Sequence, residues 1–539
     1  MEEKHVFIAA RSNTEVGVTQ YEIDAPIEKA RKRRKRKKQG HGLSVMALVL
    51  FSLSFAALCA AFIYLDSNGL IPDQFFRYIL MAFGGFIFIE SLFLIVSRKS
   101  RFIAVLSMLL CIAVITVSGY GIYALELFYK SVEEMEDPKT YYAYVGVYVQ
   151  KDSRFAPRWE EPEEGSKETE PVLVPGDSLD GCVIGTMLLN VDKGYTSRGI
   201  NLFRKDNDVS VIPYEDFGGM IDALKNGEVD AVIYNKATMG LFLGNETDFY
   251  DWAVEADAIG IETENNVKVK TADVVSEPFI VYIAGQDTDN LDVFYEYTRS
   301  DANLIVCVDP VKKKVLIVNT PRDYYVPLWG EYYAMDKLTH AGVYGIDCSM
   351  ETLENLYDIE FSYYVKTNIF SLVKVVDALG GITVHSDYEF YSWNQIGGDC
   401  QFYVGENTIN GAEALCFIRE RESFAEGDKQ RGKNQMECIR AIIEKACSPA
   451  IVAHYSDVLA VAKESVRTNI GQEEINALIK MQLTDMASWS VESYTVDGYG
   501  SHETSYAMGA NNGETYYVFV PDYDTVEVAS EMMSEFMVD

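Results

Sequence analysis

Polar and apolar positions divide the chain into a membrane-type first quarter and a long mixed remainder. Leu43 to Leu65 (LSVMALVLFSLSFAALCAAFIYL) carries no charge over 23 residues. Phe76 to Val96 holds Arg77 at its edge and Glu90 inside, and Phe102 to Leu125 is again uncharged. Each run reaches the ~20 residues that cross ~30 Å of hydrocarbon as a helix, so three transmembrane helices are expected within 43–128. The first run begins too late and is too long to be a signal-peptide core. The basic run Arg31 to Lys38 (RKRRKRKK) directly precedes it, and Ser97 to Arg101 (SRKSR) links the second run to the third. Positive charge beside a span favours the cytoplasmic side. A cytoplasmic tail over 1–42 follows, with the chain beyond about Lys130 outside the membrane. Glu90 faces either an ion path or, having no charged partner, a neighbouring helix.

Beyond the spans the pattern changes to short β-branched runs alternating with amphipathic stretches. Ser131 to Lys139 reads as a charged linker and Arg158 to Pro175 as an exposed acidic loop. Strands are expected near Cys182 to Leu188, Val209 to Pro213 and Val229 to Tyr234, with a helix over Tyr214 to Leu224 closed by the Asn226-Gly227 turn. The stretch YEDFGGMIDALKNGEVDAVIYN from Tyr214 resembles a lobe of periplasmic solute-binding proteins. An accessory extracellular α/β domain over 138–270 is the expectation, as a receptor lobe or as a structural unit. A second α/β unit spans 277–450. It has apolar strands at Phe279 to Ala284, Ala302 to Val308 and Lys314 to Asn319, and helices at Ser349 to Tyr357, Phe370 to Leu379 and Lys433 to Ala446. Gly411 to Ile418 reads as a helix running into a strand. This alternation predicts a three-layer α/β/α domain with helices on both sheet faces. The Tyr-rich tail, 451–539, completes or flanks it.

Composition sharpens this picture. Hydrophobic residues make up 48% of the 539 and only 14 are proline, which excludes global disorder. The net charge is −34, and the first 101 residues, with 15 basic and 9 acidic, leave 32 basic against 72 acidic for the rest. So acidic a body has no broad basic face for nucleic acid, and an anionic substrate needs a local cluster of cations. None of the nine cysteines forms a CxxC pair or a zinc-type cluster. Cys400, beside a Gly-Gly loop, is a candidate for a disulfide with a partner the sequence does not identify.

Charge concentrates at the ends of the apolar strands in the second unit: Gly285-Gln286-Asp287, Arg299-Ser300-Asp301, Thr320-Pro321-Arg322-Asp323, Arg419-Glu420-Arg421 and Asp428-Lys429-Gln430-Arg431. In open α/β sheets ligands bind outside strand ends, so these segments can converge. Aspartates are hard ligands for Mg²⁺, which shares its shell with substrate phosphates, and arginine forks bind phosphate. Arg419 and Arg421, two apart, share a face if on a strand. Asp428, Arg431 and Gln435 share one helix face. There is no GxSxG and no Walker loop, which disfavours acyl transfer and nucleotide hydrolysis.

The segments YIAGQD, RSDANLIV, VNTPRDYYV, DKLTHAGVYG, VDALGGITV, INGAEALCFIRER and GDKQRGKNQ, in this order across about Glu277 to Pro449, resemble the LytR-CpsA-Psr (LCP) family of bacterial cell-wall enzymes. The three spans and the preceding accessory domain are similar to capsule-type members. The resemblance implies a membrane-anchored, Mg²⁺-dependent phosphotransferase that moves a glycopolymer from a polyprenyl-pyrophosphate carrier onto peptidoglycan, outside the membrane of a Gram-positive-type bacterium. It implies Asp287 and Asp301 as metal ligands and Arg299, Arg322, Arg419, Arg421 and Arg431 as the pyrophosphate clamp, supported by Gln435. Asp428 and Lys337 sit in matching motifs with less defined roles. It also implies an apolar tunnel for the lipid. The general base stays open between Asp428 and a metal-bound carboxylate; His340 is either a base or a packing residue, and Asp289 or Asp292 lies near the metal. Two other functions stay open: hydrolysis of the same pyrophosphate, and a non-catalytic wall-associated binding or regulatory protein.

Overall fold

In the computed structural model, residues 20–68, 72–97, 100–136, 140–160, 172–187, 194–243, 248–264, 267, 272–286, 298–330, 333–394, 398–448, 451–508 and 514–538 are described. The chain divides into two compact units, Met1–Glu126 and Leu127–Asp539. In the first, the helices Gln20–Asn68 and Asp73–Ser97 and the start of Arg101–Met135 carry the expected apolar runs. All three are long and apolar enough to cross a membrane. Glu90 is fully buried and accepts a 2.6 Å hydrogen bond from the Ser107 hydroxyl of the next helix. It therefore faces a helix neighbour, as a lone intramembrane carboxyl is expected to. The third helix continues to Met135, into what the sequence suggested was a linker.

The second unit starts with a five-stranded sheet in the order Ser210–Pro213, Val183–Thr186, Ala231–Asn235, Thr140–Gln150, Ala253–Glu264. Its first three strands are parallel and the long Thr140–Gln150 strand runs antiparallel to both its neighbours. Helix Phe217–Lys225 begins where the Asp216 carboxylate accepts the Gly219 N–H, and Gly227, at φ +73°, turns the chain into the next strand. Alternate residues of Thr140–Gln150 feed two cores. Val145 and Val147 pack under helix Tyr195–Asp206, and Tyr148 packs against Phe249 on the other face. The ends of the acidic loop, Arg158–Glu160 and Val172–Val174, pair as a small ribbon.

The larger sheet has six strands, in the order Val466–Thr468, Tyr363–Asn368, Phe279–Gln286, Ser300–Asp309, Lys314–Thr320, Ser490–Thr495. Period-2 alternation splits each central strand between two cores. Ile280, Tyr282, Ile305 and Val318 face the helices Leu338–Tyr344, Ile346–Tyr357 and Tyr523–Met537. Val281, Val306 and Ile317 face the helices Asp428–Ala446 and Gln472–Asp485. Helices thus cover both faces, giving the three layers expected. Both edge strands and the helix Tyr523–Met537 come from the segment after residue 450, so the tail is built into this domain.

One local expectation fails. Cys416 to Ile418 is not a strand: helix Gly411–Arg419 runs through it from a capping box made by Asn410 and Glu413. Ala414 through Ile418 are all buried, and a short element apolar on every side carries no period to separate helix from strand. Inside this helix, Cys416 forms a disulfide with Cys400 of strand Gly398–Phe402.

Candidate active site

The strand ends on one side of the six-stranded sheet open into a cavity of about 540 Å³. Five cations line it: Arg322, Lys337, Arg421, Lys429 and Arg431. Four carboxylates, Asp301, Asp323, Glu426 and Asp497, share the wall. Arg322 follows strand Lys314–Thr320 in a turn whose backbone is fixed when the Thr339 N–H donates to the Arg322 carbonyl at 2.8 Å. Its Nη1 lies 2.6 Å from Asp301 Oδ2, and its Nε lies 3.7 Å from Asp323. The other Asp301 oxygen accepts the Thr339 hydroxyl at 3.1 Å. Lys337, ending strand Ala334–Lys337, reaches Asp323 at 3.2 Å.

Opposite stands the N-terminal part of helix Asp428–Ala446, carrying Lys429, Arg431 and Gln435. Gly432 makes this approach possible: a Cβ there would lie 2.3 Å from the Asn319 side-chain nitrogen on strand Lys314–Thr320. Lys429 binds Asp497 at 2.6 Å. That hydrogen bond chiefly holds the Asp497 carboxyl below its ordinary range and lifts the Lys429 ammonium above its own. Glu426 is likewise held low, first by its hydrogen bond from Lys433. On the sheet side the pairing slips by one residue between Gly285 and Gln286, and bulges of this kind commonly re-aim side chains beside active sites.

Against this polar cavity lies a narrow apolar cleft of about 90 Å³, walled by Ile283, Leu304, Leu372, Ile418 and Ile439. Asp301 and Gln435 line both spaces. Asn368 also lines the cleft and is 2% exposed. Its side-chain oxygen caps helix Ile369–Ala378 by accepting the Ser371 N–H at 2.6 Å, and its Nδ2 has no hydrogen-bond partner.

Of the residues singled out from sequence, Asp301, Arg322, Lys337, Arg421, Arg431 and Gln435 come together in the cavity. Arg299, partly buried just before strand Ser300–Asp309, and Arg419, exposed at the last turn of its helix, are not in the lining. Because residues 416–418 are helical, Arg419 and Arg421 do not share a strand face as expected. Asp287, Asp289 and Asp292 lie outside the described residues, and so does the side chain of Asp428. His340 is a packing residue: its Nδ1 lies 2.8 Å from the fully buried Asp336, which also accepts the Ser505 hydroxyl and the Ala507 N–H. Burial opposes the charged form of Asp336, but the His340 imidazole and these donors more than offset it and hold the carboxyl below its usual range. Sequence reading missed Lys429, although its motif was recognised, and Asp323, Asp497 and Asn368. Asp497 sits in a tail with no local motif to mark it.

As a possible Mg²⁺ site, the donors fit in kind. Mg²⁺ keeps much of its water and needs one or two carboxylates beside substrate phosphates, and Asp301 presents hard oxygens at the junction of cavity and cleft. No group of three or more His, Cys, Asp or Glu side chains suited to a metal occurs among the described residues.

The chain matches the model of the LytR_cpsA_psr family over residues 249–532. A polyisoprenyl-teichoic acid–peptidoglycan teichoic acid transferase, TagU of Bacillus licheniformis, is 32% identical over 242 residues, covering 43% of this chain and 76% of that protein. The protein of the same name from Enterococcus faecalis is 32% identical over 203 residues, 38% of this chain and 65% of that one. Among solved structures, B. subtilis TagV aligns at 26% identity over 49% of this chain and 98% of its own, with a TM-score of 0.41. The matched segment takes in the whole six-stranded sheet, the arginine-lined cavity and the tail residue Asp497. This chain belongs to the LytR_cpsA_psr family.

Proposed function

We propose that this chain is a membrane-anchored transferase that moves a glycopolymer from a polyprenyl-pyrophosphate carrier onto a peptidoglycan hydroxyl, outside the membrane. The observation that carries the reading is the convergence of five cations on one cavity in a chain of net charge −34, with an apolar cleft opening against it. The cavity suits a pyrophosphate and the cleft suits the first isoprene units attached to it. The names of the TagU relatives fit the same donor and acceptor.

In this arrangement Arg322, Arg421 and Arg431 neutralise the phosphoryl oxygens, Lys337 and Lys429 hold the outer charge, and Gln435 spans the boundary between head group and lipid. The acceptor hydroxyl attacks the phosphorus that bears the glycopolymer. A new P–O bond forms, the P–O bond to the bridging oxygen breaks, and polyprenyl phosphate leaves with the bond's electron pair. The hydroxyl proton passes to a carboxylate, with Asp301 of the cavity and Asp428, kept from the sequence motif, the candidates. Mg²⁺, held by Asp301 and Asp287, would add positive charge against the pyrophosphate. Such catalysis is mostly positioning and electrostatics. The Cys400–Cys416 disulfide supports an oxidising location for this domain. Together with the basic run before the first span, it supports a cytoplasmic N-terminus and an extracellular catalytic part.

The test uses the purified full chain with Mg²⁺, a short polyprenyl-pyrophosphate-linked saccharide and peptidoglycan fragments, read by mass spectrometry. Joined product that disappears with EDTA and in Asp301→Ala supports transfer and the metal role together. Released polyprenyl phosphate with no joined product points to hydrolysis. Lipid binding without turnover points to a non-catalytic binding protein.

A further inference from the structure

Outside the cavity, the hairpin of strands Phe390–Asn394 and Gly398–Phe402 presents an outward face that neither the fold nor the cavity uses. Tyr391 and Trp393 are 64% and 65% exposed, and Tyr403, just past the hairpin's end, is 56% exposed. Large aromatics in such positions lose the burial that normally stabilises them, so a cluster of them marks a contact surface. The register places Gln401 opposite Tyr391 and Asp399 opposite Trp393, and its continuation sets Glu389 opposite Tyr403. Each rung therefore pairs one aromatic ring with one hydrogen-bonding side chain. Gln401 donates to Glu389 at 3.4 Å, which puts these side chains on the same face.

The inner face is fastened down. Phe390 stacks on Phe402 at 4.7 Å, and the disulfide ties Cys400 to helix Gly411–Arg419. The hairpin is also joined to the loop that brings Arg421 and Glu426 to the cavity. The Ser423 hydroxyl donates to the Tyr391 carbonyl at 3.0 Å, and Tyr388 packs on Phe424 at 5.6 Å. The aromatic face is thus preorganised, and Ser423 and Phe424 join its hairpin to the loop that carries Arg421 and Glu426.

We infer that this hairpin face is the docking platform for the sugar backbone of the acceptor glycan strand, an inference that rests on the transfer reading above. A pyranose ring has an apolar C–H face that packs flat on tyrosine or tryptophan and a rim of hydroxyls that bond to amides and carboxylates. The alternating rungs supply both. The charge decides between occupants: Glu389 and Asp399 set this face against an anionic lipid surface and against a phosphate-rich polymer, and leave an uncharged sugar backbone as the fitting partner.

The experiment uses the full chain in detergent and uncharged β-1,4-linked N-acetylglucosamine strands as the probe of the sugar backbone, since peptide-free peptidoglycan strands would carry free lactyl carboxylates. Binding is followed by calorimetry, and transfer to peptidoglycan fragments is assayed separately. The double variant Tyr391→Ala/Trp393→Ala is expected to bind strands about ten-fold or more weaker. Its KM for the acceptor should rise in step while its KM for the lipid donor and its melting temperature stay at wild-type values. Trp393→Phe, which keeps a ring, should retain most of the binding. Wild-type strand affinity in the double variant overturns the platform. So does quenching of Trp393 emission by brominated lipid in nanodiscs, which would make this face a membrane contact. Binding is read without turnover, so the two readings fail separately. A wild-type chain that binds strands through these rings but transfers nothing refutes transfer alone, and normal transfer with unchanged acceptor KM in the double variant refutes the platform alone.

Discussion

Replacing Arg322 separates charge from geometry at the cavity. The side chain is held at its base by the Thr339 N–H on its own carbonyl, so a substitution changes the head group and leaves the turn in place. The guanidinium spans Asp301 at 2.6 Å and Asp323 at 3.7 Å, a reach a single ammonium point cannot reproduce. Losing one preorganised donor to developing charge costs about 10²–10³ in kcat, and Arg322→Ala is expected in that range. Arg322→Lys keeps the charge and loses the fork, for an expected fall of roughly ten-fold, or about 1.4 kcal/mol. Stability should hardly move: both partners of the pair are about one quarter exposed, and solvent-screened pairs contribute only ~1 kcal/mol or less. The assay is formation of joined product under donor saturation, with melting curves alongside. An alanine variant that melts normally and keeps more than a third of wild-type turnover refutes the clamp.

Three further outcomes follow from the packing. The Cys400→Ala/Cys416→Ala variant opens a 16-residue loop and should lose ~3 kcal/mol in a urea titration, with the wild type under reductant following it; an unmoved midpoint counts against a stabilising bridge. Gly432→Ala drives a methyl against buried Asn319, so it should cost ~1–3 kcal/mol by overpacking and lower kcat by displacing Arg431 and Gln435, although alanine is the better helix former; a more stable variant sinks the idea. Asp336, whose carboxyl is held low, contributes stability that is present above the unfolded carboxyl value of about 3.9 and lost as pH falls through the folded one; Asp336→Asn should therefore be less stable at pH 7 and lose stability less steeply below pH ~4, and parallel acid unfolding curves would contradict this.

The sequence made legible what depends on repeating patterns and local motifs. Apolar runs of membrane length gave the three long helices, and β-branched alternation gave the central strands of the large sheet. Strand-end charge gave Asp301, Arg322, Arg421 and Arg431 of the cavity, helix spacing gave Gln435, and Lys337 came only with the family resemblance. What escaped has physical causes. Cys416 to Ile418 is buried on all sides, so helix and strand patterns coincide there. Asp497 reaches the cavity because Ser490–Thr495 pairs with Lys314–Thr320, a contact across more than 170 residues that no window of sequence contains. Asp323 was quoted beside Arg322 but not recognised as a site residue, since its role depends on Lys337 arriving from the next hairpin. The partner of Cys400 was open for the same reason: helix packing, not spacing, brings Cys416 to it.

A cavity for an anion that is also lined by four carboxylates poses a question of selection. Arg322, Lys337 and Lys429 each hold a carboxylate partner, in Asp301, Asp323 and Asp497. These partners keep like charges from repelling one another, but an incoming anion must displace or outweigh them. A single phosphate touching one or two cations gains little over the carboxylates already there. A pyrophosphate engages several cations at once, and each contact after the first is intramolecular and cheap in entropy. The carboxylates should therefore act as a filter that rejects monophosphates. Asp323→Asn, which frees Lys337 from a partner only 18% exposed, is expected to tighten binding of inorganic phosphate by roughly three- to ten-fold, within the ~1 kcal/mol or so of a partly screened pair. Pyrophosphate, which on the proposed reading outcompetes Asp323 by engaging several cations, should gain less. Calorimetric titration of the full chain with both anions reads the ratio. If the variant binds phosphate no better than wild type, or gains equally for both anions, the carboxylates play no part in selection.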